Sequence, residues 1–430
     1  MKKVDLRNPK RNFNLKTGRA SWYDYYAGYS TQFVEDIIKY INPVKNSIIF
    51  DPWNGSGTTT HIASKLGYKS IGYDINPVMI IVAKAKRIDY PSLQSLKNKT
   101  DSIINLAKAH RISDLEVLND PLSAWLQPSS VIPFRQIETA FLIANNCSKK
   151  DLSSNNYEGI SNLISFYYVA LFKTVKELLS GFRSSNPTWI KRPKNNNEKI
   201  NINSIDVYNT FSFYVNQMID AVNNAEEDSC GFGNSNISLA SSVSLPLHDN
   251  SIDAVITSPP YCTRIDYAIA TILELAILGY SDNKKLKTLR DKMIGTPTIS
   301  RLIGEPHEMW GKSANNILEL ISKHESKASK LYYYKVYFQY FSSIYSSLEE
   351  INRVLKPNSY CVFVVQNSYY KDILVDLSKV FIDMTQQFSW VLDNKFAYKK
   401  NTIAGIHKNN NKYRKSSKVD ETVLIFKKKN

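Results

Sequence analysis

The stretch from Ser47 to Asp74 constrains the fold of this chain more than any other part of its 430 residues. Ser47-Ile-Ile-Phe50 is a short apolar run rich in β-branched residues, the pattern of a buried strand, and it leads into Asp51-Pro-Trp-Asn-Gly-Ser-Gly-Thr-Thr59. A helix is expected from there through Leu66, ended by Gly67, then a second strand over Lys69 to Tyr73 that closes on Asp74. Asn76-Pro77 opens another helix, with Asn76 as cap and Pro77 in its first turn. Strand, glycine-rich turn, helix and a strand ending in an acid make the first half of a nucleotide-binding open α/β sheet.

Gly55 and Gly57 let the backbone pass close to a ligand where a Cβ would collide. The amides of Thr58 and Thr59 at the helix start face that ligand, and Asp74 stands where a carboxylate accepts both ribose hydroxyls. A dinucleotide fingerprint needs a third glycine where Thr60 stands, which weakens a nicotinamide reading. The alternative is a tight turn with a capping acid.

Upstream, apolar spacing from Phe33 to Ile41 predicts a helix stopped by Asn42-Pro43. After about Ile88 the pattern changes to helices, such as Leu163 to Leu179, and strand–helix alternation resumes near Ile237. Ala254 to Thr257 is a buried strand, Lys335 to Leu355 a helix, and Ser359 to Gln366 and Glu421 to Lys427 are strands, with Lys399 to Lys418 a hairpin loop. The chain therefore divides into a basic arm (1–20), a cofactor-binding half (21–90), a helical insertion (91–235) and a catalytic half (236–430) carrying a smaller insertion at 281–330.

Ser258-Pro-Pro-Tyr261 follows the strand at 254–257, at the sheet edge where open α/β folds bind ligands. Pro259 and Pro260 contribute no amide hydrogens, so a rigid turn displays carbonyl acceptors. Acceptors and a hydroxyl suit a substrate amine, and the adjacent Tyr261 offers a face for a planar base. A polyproline turn is the plain alternative. Arg264 and Asp266, just beyond, either contact the nucleotide backbone or pair with each other.

The net charge of +16 points to a polyanionic partner, nucleic acid or an anionic surface. No apolar run is long enough to span a membrane. Cys147, Cys230, Cys262 and Cys361 lie far apart, which excludes a disulfide framework or zinc ribbon and fits a reducing cytoplasm. The histidines are scattered without ligand spacing, so no metal site is expected. In the Arg183 to Lys194 stretch, Lys191, Arg192 and Lys194 interleave with Trp189, which suits phosphate contact plus stacking. The alternative is a solvated linker with one packed tryptophan. The Lys284 to Lys292 cluster reads as the polar face of a helix, and Tyr332 to Tyr340 as a core helix. The arm is either solvated or a phosphate contact.

The Asp51 to Thr59 stretch and the Ser258 to Tyr261 tetrapeptide together resemble the S-adenosylmethionine-dependent DNA amino-methyltransferases, whose catalytic motif is (Asp/Asn/Ser)-Pro-Pro-(Tyr/Phe). Tyr23 to Ser30 is similar to the segment that closes over the cofactor's methionine end, and Arg353-Val-Leu-Lys-Pro357 before a strand is another shared feature. The resemblance implies a Rossmann-like α/β methyltransferase sheet with a large helical insertion, acting on an exocyclic amine of a flipped base in double-stranded DNA. It implies that Tyr29, Ser30, Asp51, Pro52, Gly55, Gly57 and Thr58 serve the cofactor's methionine end and Asp74 its ribose. Ser258 and the Pro259 carbonyl would accept from the amine, Pro260 would complete the turn, and Tyr261 would stack on the base. Serine at the first position leans toward cytosine N4 over adenine N6, and restriction or defence proteins are the implied partners. An RNA guanine-N2 enzyme and a nucleic-acid-binding protein with a degenerate cofactor site are the competing readings. One departure stands out: Ser241 sits where the family carries an acid for the cofactor's adenine, leaving Asp249 as a candidate substitute. Ring-carbon methylation needs a cysteine nucleophile attacking the ring, and it is disfavoured because none of the four cysteines follows a proline in the manner of that family.

Overall fold

The computed structural model describes residues 6–10, 17–25, 28–148, 157, 159–184, 189–225, 233–262, 265–280, 284–297, 304–401 and 418–430. A 3-10 turn over Arg19–Trp22 precedes α1 (Thr31–Ile41), whose Ser30 cap accepts from the Phe33 amide and whose end is turned by Asn42 at φ 42°. Then come β1 (Ile48–Asp51), α2 (Thr58–Lys65), β2 (Lys69–Asp74) and α3 (Pro77–Ala85), capped by Asn76 as expected. Four long helices follow: α4 (Tyr90–Ala109), α5 (Pro128–Ile143), α6 (Asn162–Leu178) and α7 (Ser204–Asn223). The sheet resumes with β3 (Ser235–Leu239) and β4 (Ile252–Thr257), then α8 (Ile272–Ile277), α9 (Lys284–Lys292), α10 (Gly311–Lys323) and α11 (Tyr334–Val354). β5 (Leu355–Gln366), a hairpin of β6 (Ser368–Tyr370) and β7 (Ile373–Val375), α12 (Leu377–Gln386), β8 (Trp390–Asn401) and β9 (Lys418–Lys428) complete it.

The main sheet has the order β3-β2-β1-β4-β5-β9-β8. Its first five strands are parallel, and β9 runs antiparallel between β5 and β8. Successive residues of a strand point to opposite faces. Ile49, Ala254, Ile256, Val362 and Val364 therefore pack with α1, while Phe50, Val255, Cys361 and Phe363 pack with α11 and α12. Strand order reverses between β1 and β4, and the crevice outside their carboxyl ends is where such sheets bind ligands. The helical insertion shares one continuous core with α3, α8 and α9, in which α6 is buried on nearly all sides.

Several expectations need correction. The arm is not simply solvated: Arg7 pairs with Asp36 at 2.7 Å, and Arg19, only 1% exposed, donates to the carbonyls of Lys86 and Ile88. Of the expected hairpin loop, residues 399–401 belong to β8 and Lys418 begins β9, while 402–417 lie outside the described residues. A single π-type turn over Ser329–Tyr333 precedes α11.

Candidate active site

One cleft of about 1350 Å³, counting its open mouth, lies at the switch point and is lined by both sequence motifs. β1 delivers Asp51 to its floor. The Oδ1 atom accepts from the Thr257 hydroxyl at 2.5 Å, joining the ends of β1 and β4, and from the Trp53 amide at 3.1 Å. Oδ2 accepts from the Tyr29 hydroxyl at 3.1 Å. β2 delivers Asp74, which accepts from the amides of Gly55 at 2.9 Å and Asn76 at 2.8 Å. Burial disfavours the charged form of each, so both carboxyls are pushed up to about 6 despite these bonds.

Gly55 stands at φ 47° with the Tyr25 ring against it, where a Cβ would lie 2.7 Å from Tyr25 Cε1. Gly57 stands at φ 78° and serves packing instead: a Cβ there would meet Ala83 of α3 at 2.6 Å. The cleft reaches Pro52, Gly55 and Thr58 but not Gly57 or Ser30, whose hydroxyl is spent capping α1. The Gly55 amide is taken by Asp74 and the Gly57 amide by the Asn54 carbonyl, so these two amides hold the turn rather than face a ligand.

The tetrapeptide forms the opposite wall. Ser258 Oγ lies 3.0 Å from the Val364 carbonyl and 3.3 Å from Tyr261 Oη. The Pro260 carbonyl accepts from Tyr340 of α11 at 2.9 Å, which anchors the turn, and Pro259 lines the cleft. Tyr261 Oη donates to Glu421 Oε1 at 3.2 Å. Burial, then the Glu421 charge, holds the phenol well above its ordinary range, so it stays a donor. Glu421, Lys176 and Tyr267 do not stand out in the sequence, and Tyr25 does so only as part of the Tyr23 to Ser30 segment. The signal for Glu421 is an acid at the head of an apolar strand; for Tyr25 it is the tyrosine-rich run before α1.

Asp249 is no substitute for the family's adenine-binding acid. Its carboxylate is bound by Arg353 at 2.7 Å and does not line the cleft. Arg353 also donates to the carbonyls of Leu245 and Leu247, so its motif clamps the 245–249 turn. Ala240, Ser241 and Ser242 form that side of the cleft. Asp266 pairs with Arg290 at 2.7 Å; Arg264 lies outside the described residues.

The basic loop stands apart from the cleft. Trp189 is 52% exposed and Lys191 and Lys194 are exposed. Arg192 is exposed as well, and its guanidinium lies 5.2 Å from the centre of the Trp125 ring. Burial first, then the Arg290 charge, lowers the affinity of this guanidinium for a proton. On α9, Leu286 and Leu289 face inward and Lys292 reaches the cleft wall, so the polar-face reading holds for its outer side.

The cleft suits a cationic nucleoside. It is lined by two carboxyls, those of the buried Asp51 and the half-buried Asp74, and leaves the buried Asn54 Nδ2 without a partner among the described residues. Comparison with known proteins agrees. A family model described as DNA methylase, of N6/N4 type, matches residues 7–85 and 252–430, more than half of the chain. The type II methyltransferase M.MvaI of Kocuria varians is 23% identical over 401 residues, covering 88% of this chain and 83% of its own length. The type II methyltransferase M.BsoBI of Geobacillus stearothermophilus is 26% identical over 292 residues, 64% of this chain and 55% of its own length.

Proposed function

This chain belongs to the N6/N4 DNA methylase family, and from that premise we propose that it methylates the N4 amine of cytosine in double-stranded DNA. The observation that carries this reading is the single cleft shared by the Asp51–Asp74 turn and the Ser258–Tyr261 turn. S-adenosylmethionine, when bound, supplies a methyl group on a sulfonium. Asp74 holds the ribose hydroxyls, and Asp51 and Tyr29 define the methionine end. Ser258 and the Pro259 carbonyl accept from the amine and turn its lone pair toward the methyl group. An exocyclic amine is conjugated and weakly nucleophilic, so acceptors that favour its tetrahedral form lower the barrier. Positioning supplies most of the remaining acceleration. Tyr261 stacks on the flipped base. Serine at position 258 supports cytosine over adenine.

The helices between the two family-matched segments carry sequence recognition, with Trp189, Lys191, Arg192 and Lys194 on the DNA side. The chain acts in a restriction–modification setting with a cognate endonuclease. Methylation-aware sequencing of DNA from cells expressing the protein tests this: N4-methylcytosine at one short motif is expected. N6-methyladenine there would overturn the choice of base. Equal modification by a Ser258→Ala variant would remove the side chain from the chemistry.

A further inference from the structure

We propose that Glu421 is a positioning residue for methyl transfer: it takes the phenolic hydrogen of Tyr261 and thereby keeps the Ser258 hydroxyl an acceptor toward the target amine. This rests on the reading of the tetrapeptide given above.

The antiparallel pairing of β9 with β5 sets Glu421 opposite Gln366, at the carboxyl end of β5. That register carries a carboxylate, only 6% exposed, to the back of the tetrapeptide. Tyr261 Oη lies 3.2 Å from Glu421 Oε1 and 3.3 Å from Ser258 Oγ, and Ser258 Oγ lies 3.0 Å from the Val364 carbonyl. A hydroxyl has one hydrogen and two lone pairs, so a serine by itself donates as readily as it accepts. A donor facing the amine would occupy the nitrogen lone pair that must attack the methyl group. The surroundings of Ser258 settle the direction. The Val364 carbonyl only accepts. Tyr261, with its hydrogen committed to the carboxylate, also presents lone pairs to Ser258. The Ser258 hydrogen is therefore held on the protein side, and its free lone pairs are left for the amine. Without Glu421 the phenol turns its hydrogen onto Ser258 and competes with the amine for those lone pairs.

The test is single-turnover methylation of a duplex carrying the site found by sequencing. Glu421→Leu should slow transfer about tenfold or more, while cofactor and DNA dissociation constants stay within about twofold. Glu421→Gln, which retains a carbonyl acceptor, should recover most of the rate. In a Tyr261→Phe background, Glu421→Leu should change the rate less than about twofold, because no phenolic hydrogen remains to direct. Glu421→Asp, a carboxylate too short to reach the phenol, provides the same cycle where the leucine variant does not fold. An equal fall in both backgrounds, or a fall matched by weaker binding, overturns the proposal. An active wild type with such a result removes this inference alone; a wild type that methylates no DNA removes the parent reading and this inference with it.

Discussion

Ser258 and Asp74 show how differently two polar side chains of one cleft act. The Ser258 bond to the amine strengthens only as the nitrogen becomes tetrahedral, so its loss is a loss of transition-state binding. Ser258→Ala is expected to lower turnover about a hundredfold while leaving cofactor and DNA affinity near wild type, as measured by single-turnover kinetics and calorimetry. Ser258→Asp, which restores an acceptor, should be the milder change. Asp74 contributes to binding rather than to the chemical step. Asp74→Ala should weaken S-adenosylmethionine binding by roughly 1.5–3 kcal/mol, since charge-assisted bonds to both ribose hydroxyls disappear. Because Asp74 also holds the Gly55 and Asn76 amides, the apo protein should melt slightly lower as well. Unchanged cofactor binding would show that the carboxylate serves the turn and not a ligand. Both residues are legible from motif spacing, because each sits at the end of its own strand. Glu421 is not, because its role depends on which strand lies next to β5.

Elements are legible in the sequence in proportion to how much of their surface is buried. α6, β1 and β4 have strong apolar patterns, and they stand where they are expected. β8 carries no such pattern: it is the outer edge of the sheet, with exposed and half-buried residues alternating and lysines along it. Such charged edges discourage further pairing and leave no apolar signal. The loop before α7 presents a similar problem, since its tryptophan and cations fit either DNA contact or a linker. Arg192 is engaged with Trp125, so the clean test replaces Lys191 and Lys194 alone. Removing both should weaken DNA binding and reduce the slope of log affinity against log salt by about one for each phosphate no longer neutralised. An unchanged slope would make the loop a linker. Gly57→Ala tests the turn itself. At φ 78°, with a Cβ 2.6 Å from Ala83, it should lower stability by about 2 kcal/mol or more in chemical denaturation.

For the whole molecule, the buried carboxylates couple folding, cofactor and pH. Asp51 and Asp74 have pKa values of about 6, raised from 3.8. A group that holds its proton more tightly when folded adds stability below its unfolded value and loses that contribution as pH rises through its folded value. The apo protein should therefore lose stability from these groups as pH rises from 3.8 to about 6. A cationic ligand with hydroxyl donors favours the ionised forms. The rise in melting temperature caused by S-adenosylmethionine should accordingly be larger at about pH 7.5 than at about pH 5. A larger rise at the lower pH would contradict this account.

The amino-acid sequence alone determined the α/β class, the two motif turns and the residues expected at their tips. These depend on local properties: apolar periodicity, glycine at tight turns, proline at fixed φ and acids at strand ends. Only the tertiary structure decided which of those residues share the cleft, that Asp249 belongs to Arg353, that Gly57 is a packing glycine, and that Glu421 stands behind Tyr261. Each of these depends on strand order and register. A strand's pattern says which of its residues face inward, but which neighbour it meets there is set by the free energy of the whole packed sheet.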